Sequence, residues 1–306
     1  LKPLEEVLPE GLEPLGSGEV IDLTSRMSES GQLEWDAPDG SWTVVRLGHA
    51  SDFKLTRPEP AHMIGLEADR LNTRGIDTHF EKYLKPIIEG AGDSVGRSLK
   101  YIHIDSWESG FQNWTEGFGE EFKRRRGYDI DPWLPVLTGR VVESVDKTER
   151  FLWDLRQTAS EMLLDNHIKR LKELIAPYGL KLSNESYGRV SVNNAEWTTL
   201  ADLPVAEFWT ERRPNPPYTA DSAPGPFPRE EPYWQRSLRG LSSVANASGK
   251  PRVGAESFTG CRGWLDHPYT LKALGDWSFC EGISLFIFHN FAHQAYENIK
   301  PGMTHR

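Results

Sequence analysis

Short apolar runs alternate with amphipathic segments along most of the chain. Apolar side chains recur at helical spacing over residues 76–88, and a second helix is predicted from about Thr148 to Ala176, where Pro177 and Gly179 end it. Apolar or β-branched runs predict buried strands at residues 42–49, 99–105, 180–186, 252–258 and 283–291. Strands that alternate with helices in this way indicate a parallel sheet covered by helices.

An open doubly wound sheet and a (β/α)₈ barrel both have this pattern. No glycine-rich phosphate loop follows the first predicted strand, which counts against a nucleotide-binding sheet. We therefore expect an α/β fold of the TIM-barrel type. Only about five or six strands are predicted, whereas a complete barrel has eight strands in ~250 residues, so the barrel is expected to be incomplete at the C-terminus.

The N-terminal stretch differs from the rest. Residues 1–41 contain the breakers PEG, GSGE and APDG, and we expect them to be the end of a β-rich N-terminal region. Residues 42–306 are expected to form the barrel domain, truncated before closure. The proline-rich residues 213–232 predict an exposed loop or lid.

Composition excludes two classes of partner. The 306 residues are 26% charged and 38% hydrophobic, which is typical of a folded globular protein. Thirty-five basic and forty-five acidic side chains leave a net charge of −10, so we predict no nucleic-acid partner and no attraction to an anionic membrane. No apolar run approaches the roughly 20 residues that a spanning helix needs, so no membrane partner is predicted.

Acidic side chains gather where the predicted strands end. They are Asp105 and Glu108 in HIDSWES, Glu185 in LSNES, Glu207 in LPVAEFW and Glu256 in VGAES. The carboxyl ends of barrel strands carry the active site. One such carboxylate alone is more often a structural salt-bridge partner, but several on one edge repel each other unless a metal, a proton or a substrate uses them.

Histidines and tryptophans accompany these carboxylates. His103 and Asp105 are two residues apart and so point to the same face of their strand, as a hydrogen-bonded pair or as ligands to a substrate or metal. His289 and His293 flank the end of the last strand, where they are either structural or bind hydroxyl groups. Trp107 is a packing residue or an apolar platform for a sugar ring.

Three chemistries fit this set of residues. Paired carboxylates among aromatics favour glycoside hydrolysis, and Ca²⁺ would account for additional oxygen ligands. A zinc-dependent, amidohydrolase-like barrel using His103, Asp105, His289 and His293 is an alternative, although the chain has neither an HxH nor an HExxH pattern. A non-catalytic carbohydrate-binding protein is the third, and it requires fewer acids than are present.

Longer motifs resemble one known family, glycoside hydrolase family 106, the α-L-rhamnosidases. They occur in order over most of residues 35–306 and are GLEADRL (65–71), HIDSWESGFQNWT (103–115), FKRRRGYD (122–129), LPVLTGRVV (134–142), RFLWDLRQT (150–158), ADLPVAEFW (201–209) and FHNFAHQ with KPGMT (288–304). The resemblance implies a (β/α)₈ catalytic domain within a longer bacterial enzyme, periplasmic or extracellular. It also implies inverting hydrolysis of terminal α-L-rhamnosides, assisted by Ca²⁺, with a rhamnose-containing oligosaccharide, polysaccharide or glycoside as partner.

The resemblance also implies roles for four acids. Glu108 in DSWES resembles the general acid, and Glu207 in AEFW resembles the general base that activates water. Glu185 in NES resembles a calcium or sugar ligand, and Glu256 in AES a further acidic residue of the site. The chain departs from the family in extent, since it stops shortly after PGMT, where family members continue with the rest of the barrel.

Overall fold

The computed structural model describes residues 13–16, 18–56, 61–108, 110, 112–187, 192–210, 235–260, 266–289 and 298. The proline-rich stretch 213–232 and His293 lie outside these residues. The described chain packs as two compact units, one formed by residues up to Thr73 together with 112–166, and the other by Arg74–Gly110 together with the residues from His167 onward. The boundary predicted near residue 41 stays a prediction.

The second unit contains a five-stranded, wholly parallel sheet whose strands lie side by side in chain order. The strands are β1 Tyr101–Ile104, β2 Lys181–Glu185, β3 Leu203–Trp209, β4 Gly254–Thr259 and β5 Leu285–Phe288. A doubly wound sheet reverses its strand order at a switch point, and this sheet has no reversal. The strand order therefore fits a segment of a barrel.

Eight α-helices lie in the described part of the chain. They are α1 Thr73–His79, α2 Lys85–Ala91, α3 Phe118–Arg126, α4 Val145–Leu163, α5 Arg170–Ile175, α6 Asn194–Leu200, α7 Gln235–Ala247 and α8 Pro268–Cys280. The π-helical segments Phe80–Leu84 and Leu164–Lys169 join α1 to α2 and α4 to α5, so both predicted helices are present. None of the described helices has the length and apolar character needed to cross a bilayer.

One face of the sheet forms the apolar core with its helices. Alternate residues of β3 and β4 are fully buried on this face, and they pack with apolar residues of α7; the cluster comprises Ala206, Phe208, Leu238, Leu241, Ala245, Val253, Ala255 and Ile283. Because successive strand residues point to opposite faces, residues between these core positions face the other way. The core therefore fixes which side chains point to the opposite face.

The prediction of a buried strand at 42–49 is wrong. The structure assigns no strand there, and Val44 and Leu47 are 58% and 43% exposed. A β-branched run forms a strand only where a neighbouring strand and a packed face receive it. Within the described residues no strand pairs with this segment.

The helix α3 is capped by glycines at both ends. Gly117 takes the cap position with φ +76, and Gly127 ends the helix with φ +84. The Thr115 hydroxyl donates to Asp69 at 2.6 Å. Thr115 therefore ties two segments of the first unit together instead of capping the helix.

Candidate active site

The face of the sheet opposite the core carries the predicted site residues. In the parallel register His103 lies beside Ser183, Glu185 beside Val205, and Glu207 beside Glu256. Register partners share a face, and alternation by two carries that face along each strand. Among the described residues, the carboxylate and imidazole side chains on this face are those of His103, Asp105, Glu185, Glu207, Glu256 and His289.

His103, Asp105 and Glu185 form the first of two clusters on this face. One ligand atom from each lies within 4.8 Å of the others. Glu185 is 2% exposed, and the Tyr187 hydroxyl donates to its Oε2 at 2.5 Å. Burial raises the pKa of Glu185 to about 10, and the charges of Asp105 and Glu256 add to this, against the hydrogen bond from Tyr187. The cluster therefore needs a proton or a cation between its carboxyl groups.

The same cluster has the ligand chemistry of a hard cation. Asp105 and Glu185 offer carboxylate oxygens, which Ca²⁺ prefers. Burial lowers the pKa of His103, against the charges of Asp105 and Glu256, and this favours the neutral imidazole that metal ions bind. His103 is in hydrogen-bonding contact with Ser183, at 3.1 Å from Nδ1 to Oγ. The residues present thus fit a bound divalent cation.

The ligand set proposed for zinc is not assembled as predicted. Among the described residues, Glu185 joins His103 and Asp105, and His289 is not part of that group. His289 Nδ1 lies 3.6 Å from Glu256 Oε1 instead. His293 lies outside the described residues.

Glu207 and Glu256 form the second cluster. Glu207 is 7% exposed, and the Trp209 indole N–H donates to its Oε1 at 2.5 Å. Burial and the nearby charge of Glu256 raise the pKa of Glu207 to about 7; hydrogen bonds from Trp209 and Tyr187 act in the opposite direction. The charge of Glu108 also raises it, which places Glu108 electrostatically close to Glu207.

A β-bulge in β4 supplies the hydrogen-bond donor for Glu256. Ser257 pairs with Phe208 and Thr259 with Trp209, so Phe258 has no partner and adopts φ +63. A bulge of this kind re-aims the next side chain. The Thr259 hydroxyl donates to Glu256 Oε1 at 2.6 Å, on the same face as Glu207.

The segment after β1 holds Glu108 and Trp107 in different surroundings. Glu108 is exposed, and its Oε1 accepts a hydrogen bond from the Ser106 hydroxyl at 3.2 Å. Trp107 is 6% exposed, and its indole N–H donates to the Gly110 carbonyl at 2.5 Å. Trp107 is therefore packed against its own loop, and its contact with a substrate stays a prediction.

The candidate set drawn from the sequence omits three polar contacts of the site. The side chains of Tyr187 and Trp209 donate to the buried Glu185 and Glu207, and the Thr259 hydroxyl donates to the partly buried Glu256. Tyr187 and Trp209 each follow a candidate glutamate by two residues, so alternation along an extended chain was a usable signal. Thr259 follows Glu256 by three, and only the bulge brings it to that face.

This cluster of carboxylates can hold protons and a bound cation, and it disfavours a further negative charge. Several carboxylates share one face, and the described partners of Glu185, Glu207 and Glu256 are neutral N–H and O–H donors and, for Glu256, the imidazole of His289. A buried carboxylate with a raised pKa can give or take a proton near neutral pH. The chemistry that the face supports is proton transfer at a polar, uncharged substrate.

Comparisons with known proteins match the chain to a family model, to a named relative and to a solved structure. The family model for glycoside hydrolase family 106, described as alpha-L-rhamnosidase, matches residues 12–306. A protein of Formosa agariphila named "Putative beta-glucuronidase" is 38% identical over 286 residues, which are 94% of this chain and 23% of that protein. The solved structure of a rhamnosidase from Novosphingobium sp. PP1Y has a TM-score of 0.72 and 28% identity over 90% of this chain and 26% of that one.

The chain thus spans about a quarter of the length of each of these two relatives. The family match covers nearly all of the chain, and the solved rhamnosidase has the same fold over the region compared. On this evidence the chain belongs to glycoside hydrolase family 106.

Proposed function

We propose that the protein containing this chain is a glycosidase that hydrolyses terminal α-L-rhamnosides with inversion. The observation that carries the proposal is the buried Glu207, with its raised pKa, within the electrostatic reach of the exposed Glu108. An inverting glycosidase uses one carboxylic acid to protonate the leaving oxygen and one carboxylate to activate water. The family match and the solved rhamnosidase support rhamnose as the sugar.

In the proposed reaction Glu108 is the general acid. Its carboxyl proton passes to the glycosidic oxygen as the bond from that oxygen to the anomeric carbon breaks. Glu207 is the general base, and it takes one proton from a water molecule whose oxygen forms the new bond on the opposite face of the sugar. The products are free rhamnose of inverted configuration and the released alcohol.

Asp105 and Glu185 would hold a calcium ion, with His103 beside them. When bound, the ion supplies a hard Lewis acid that takes sugar hydroxyl groups as additional oxygen ligands. A carboxyl oxygen of the buried Glu185 and one of the exposed Asp105 lie within 4.8 Å of each other, which supports this assignment. Glu256 and His289, joined at 3.6 Å, together with His293, are proposed to bind substrate hydroxyl groups.

We also propose that the whole protein closes an eight-stranded barrel. Five consecutive parallel strands in unbroken chain order are the portion described here. The remaining strands of such a barrel would pair beyond the edge of β5. The substrate, a rhamnose-containing oligosaccharide, polysaccharide or glycoside, would enter at the carboxyl ends of the strands.

The name of the Formosa relative raises a glucuronide as a second candidate substrate. A uronic acid carries a carboxylate that needs a cationic partner. Among the described residues at the carboxyl ends of the strands, the charged side chains on the site face are carboxylates, with histidines beside them; Lys181 shares the face but lies at the opposite, amino end of β2. This charge favours a neutral deoxy sugar over a uronate.

The test compares two aryl glycosides with the full-length protein. We expect release from an aryl α-L-rhamnoside, loss of release on treatment with a chelator, and none from an aryl β-D-glucuronide. Glu207→Gln should lower the rhamnosidase rate by about 100-fold or more, while Glu89→Gln, an exposed change in α2, leaves it unchanged. Release from the glucuronide alone would overturn rhamnose as the sugar, and release of rhamnose untouched by Glu207→Gln would overturn the assignment of the base.

A further inference from the structure

Trp209 is joined to the proposed general base by a single directed contact. It follows Glu207 by two residues in β3, so both side chains lie on the same face of the sheet. The indole Nε1–H donates to Glu207 Oε1 at 2.5 Å. An indole N–H has one proton and no acceptor, so this group neither gains nor loses charge at any working pH.

We propose that Trp209 is a positioning residue that holds Glu207 in the orientation and ionised form required of a general base. The proposal rests on the proposed function, in which Glu207 accepts a proton from water. A base must be held within about 0.5 Å and 10–20° of its productive geometry to act efficiently. A bond from a rigid bicyclic side chain to one of the two carboxylate oxygens restricts rotation of that carboxylate.

The backbone around Trp209 is itself fixed. Trp209 pairs with Thr259 across the bulge in β4, and the next residue continues the ladder, since Thr210 N donates to the Thr259 carbonyl at 2.8 Å. The indole therefore projects from a strand held on its β4 side. This distinguishes Trp209 from a tryptophan on a loop, whose side chain is free to reorient.

Tyr187 is the other donor near Glu207, and it is not equivalent. Its hydroxyl has one proton, which it donates to Glu185 Oε2 at 2.5 Å. The same hydroxyl also acts on Glu207. A proton shared between two carboxylates makes a weaker bond to each of them, so Tyr187 is divided between the two clusters. The Trp209 N–H, in contrast, donates to Glu207 Oε1.

The hydrogen bond from the indole acts against the neighbouring groups that raise the pKa of Glu207. Glu256 from β4 and Glu108 from the segment after β1 raise the pKa of Glu207 together with burial, and Trp209 and Tyr187 lower it. Removing the indole N–H therefore removes one of two neutral donors that favour the carboxylate. The base would then require a higher pH to be ionised.

The experiment uses Trp209→Phe in the full-length enzyme, with Trp153→Phe as the matched control because Trp153 is 67% exposed on α4. With an aryl α-L-rhamnoside we expect kcat to fall about 10- to 100-fold, while KM changes less than about three-fold. The acidic limb of the kcat profile should move to higher pH. Trp153→Phe should change neither quantity, and melting curves check that both variants are folded.

A second measurement separates positioning from general damage. In Glu207→Ala, added azide attacks the anomeric carbon without needing a base. The glycosidic bond breaks as Glu108 protonates the leaving oxygen, and the products are a rhamnosyl azide and the released alcohol. Adding Trp209→Phe to Glu207→Ala should leave that azide-dependent rate unchanged, because the residue through which Trp209 acts is gone. The positioning role would be overturned if Trp209→Phe lowered the azide-dependent rate of Glu207→Ala by the same factor as it lowers kcat of the wild type. It would also be overturned if the acidic limb of the kcat profile stayed at the same pH in Trp209→Phe. A wild type that cleaves no rhamnoside overturns the proposed function, and this inference with it.

Discussion

Glu207 on β3 and Glu256 on β4 are direct register partners in the parallel sheet. Neighbouring strands are about 4.8 Å apart, so the two carboxylates leave adjacent positions on the same face. Each has its own neutral donor, Trp209 for Glu207 and Thr259 for Glu256. The charge of Glu256 contributes to the raised pKa of Glu207, and this pairing makes Glu207 responsive to pH near neutrality.

The direction of the pH dependence is the first prediction. Burial and the charge of Glu256 raise the pKa of Glu207 to about 7, and a general base works only when it is deprotonated. We therefore expect kcat for an aryl α-L-rhamnoside to rise through a limb centred near pH 7. Glu256→Gln removes the neighbouring charge, so it should move that limb to lower pH.

A rate that changes with pH in the opposite direction would exchange the roles of Glu207 and Glu108. A general acid works when protonated, so a rate that falls through the same limb would identify Glu207 as the acid. Its Gln variant should then retain activity on substrates with a good leaving group, such as a dinitrophenyl rhamnoside. Retained cleavage of such a substrate by Glu207→Gln, without azide rescue, would contradict the base assignment.

The second prediction concerns calcium and Glu185. The carboxyl groups of the buried Glu185 and the exposed Asp105 lie close together and repel each other when both are ionised, and a bound cation removes that repulsion. Calcium at about 100 times its Kd should stabilise the folded protein by about 2.7 kcal/mol, seen as a higher Tm. Glu185→Gln should raise the Tm in chelator and abolish the further increase with calcium.

Glu207→Gln is the matched control for this measurement. It too removes a buried carboxylate, but Glu207 is not in the cluster of His103, Asp105 and Glu185. It should keep the calcium-dependent rise in Tm. A rise that survives Glu185→Gln unchanged would show that the ion binds elsewhere.

Strand polarity and alternation explain how much of the site could be predicted from the sequence. Apolar runs that end in an acid placed Glu185 and Glu256 at the carboxyl edge, and spacing by two placed His103 and Asp105 on one face. The structure has strands at these positions with that alternation. These features are local, so a single sequence contains them.

Features that depend on which residues lie opposite each other could not be predicted from the sequence. The register that sets Glu207 beside Glu256 depends on how two strands more than forty residues apart slide along each other. The bulge at Phe258 shifts Thr259 to the site face, against simple alternation from Glu256. The strand predicted at residues 42–49 was wrong for a related reason. The segment has a β-branched pattern, but no strand among the described residues pairs with it.

The third prediction tests how closely α7 packs on the turn before β5. Gly282, at the turn before β5, has φ +98, and a Cβ there would lie 2.9 Å from the Ser242 Cβ of α7. Gly282→Ala should lower the free energy of unfolding by about 1–3 kcal/mol, through backbone strain and overpacking.

Gly90→Ala is the control for that change. Gly90 lies in α2 with open space around its Cα, so alanine should leave stability unchanged or raise it by up to about 1 kcal/mol. Urea melts followed by circular dichroism compare the two variants. Equal midpoints for Gly282→Ala and the wild type would contradict the close packing of α7 on this turn.

The fourth prediction concerns Thr259 and its neighbour Ser257 on the opposite face. The Thr259 hydroxyl donates to Glu256 Oε1, whereas the Ser257 hydroxyl donates to the Ala255 carbonyl at 2.6 Å. Thr259→Val keeps the shape and removes the donor, leaving Glu256 less well oriented toward a substrate hydroxyl. Because Glu256 is proposed to bind the sugar and not to transfer the proton, KM should rise by about 5- to 10-fold with a smaller change in kcat.

Ser257→Ala is the control for this change. It loses a hydroxyl of the same strand on the core face and should leave KM unchanged. A fall in kcat at constant KM for Thr259→Val would instead assign Glu256 to the transition state, since an interaction made only there lowers kcat without weakening substrate binding.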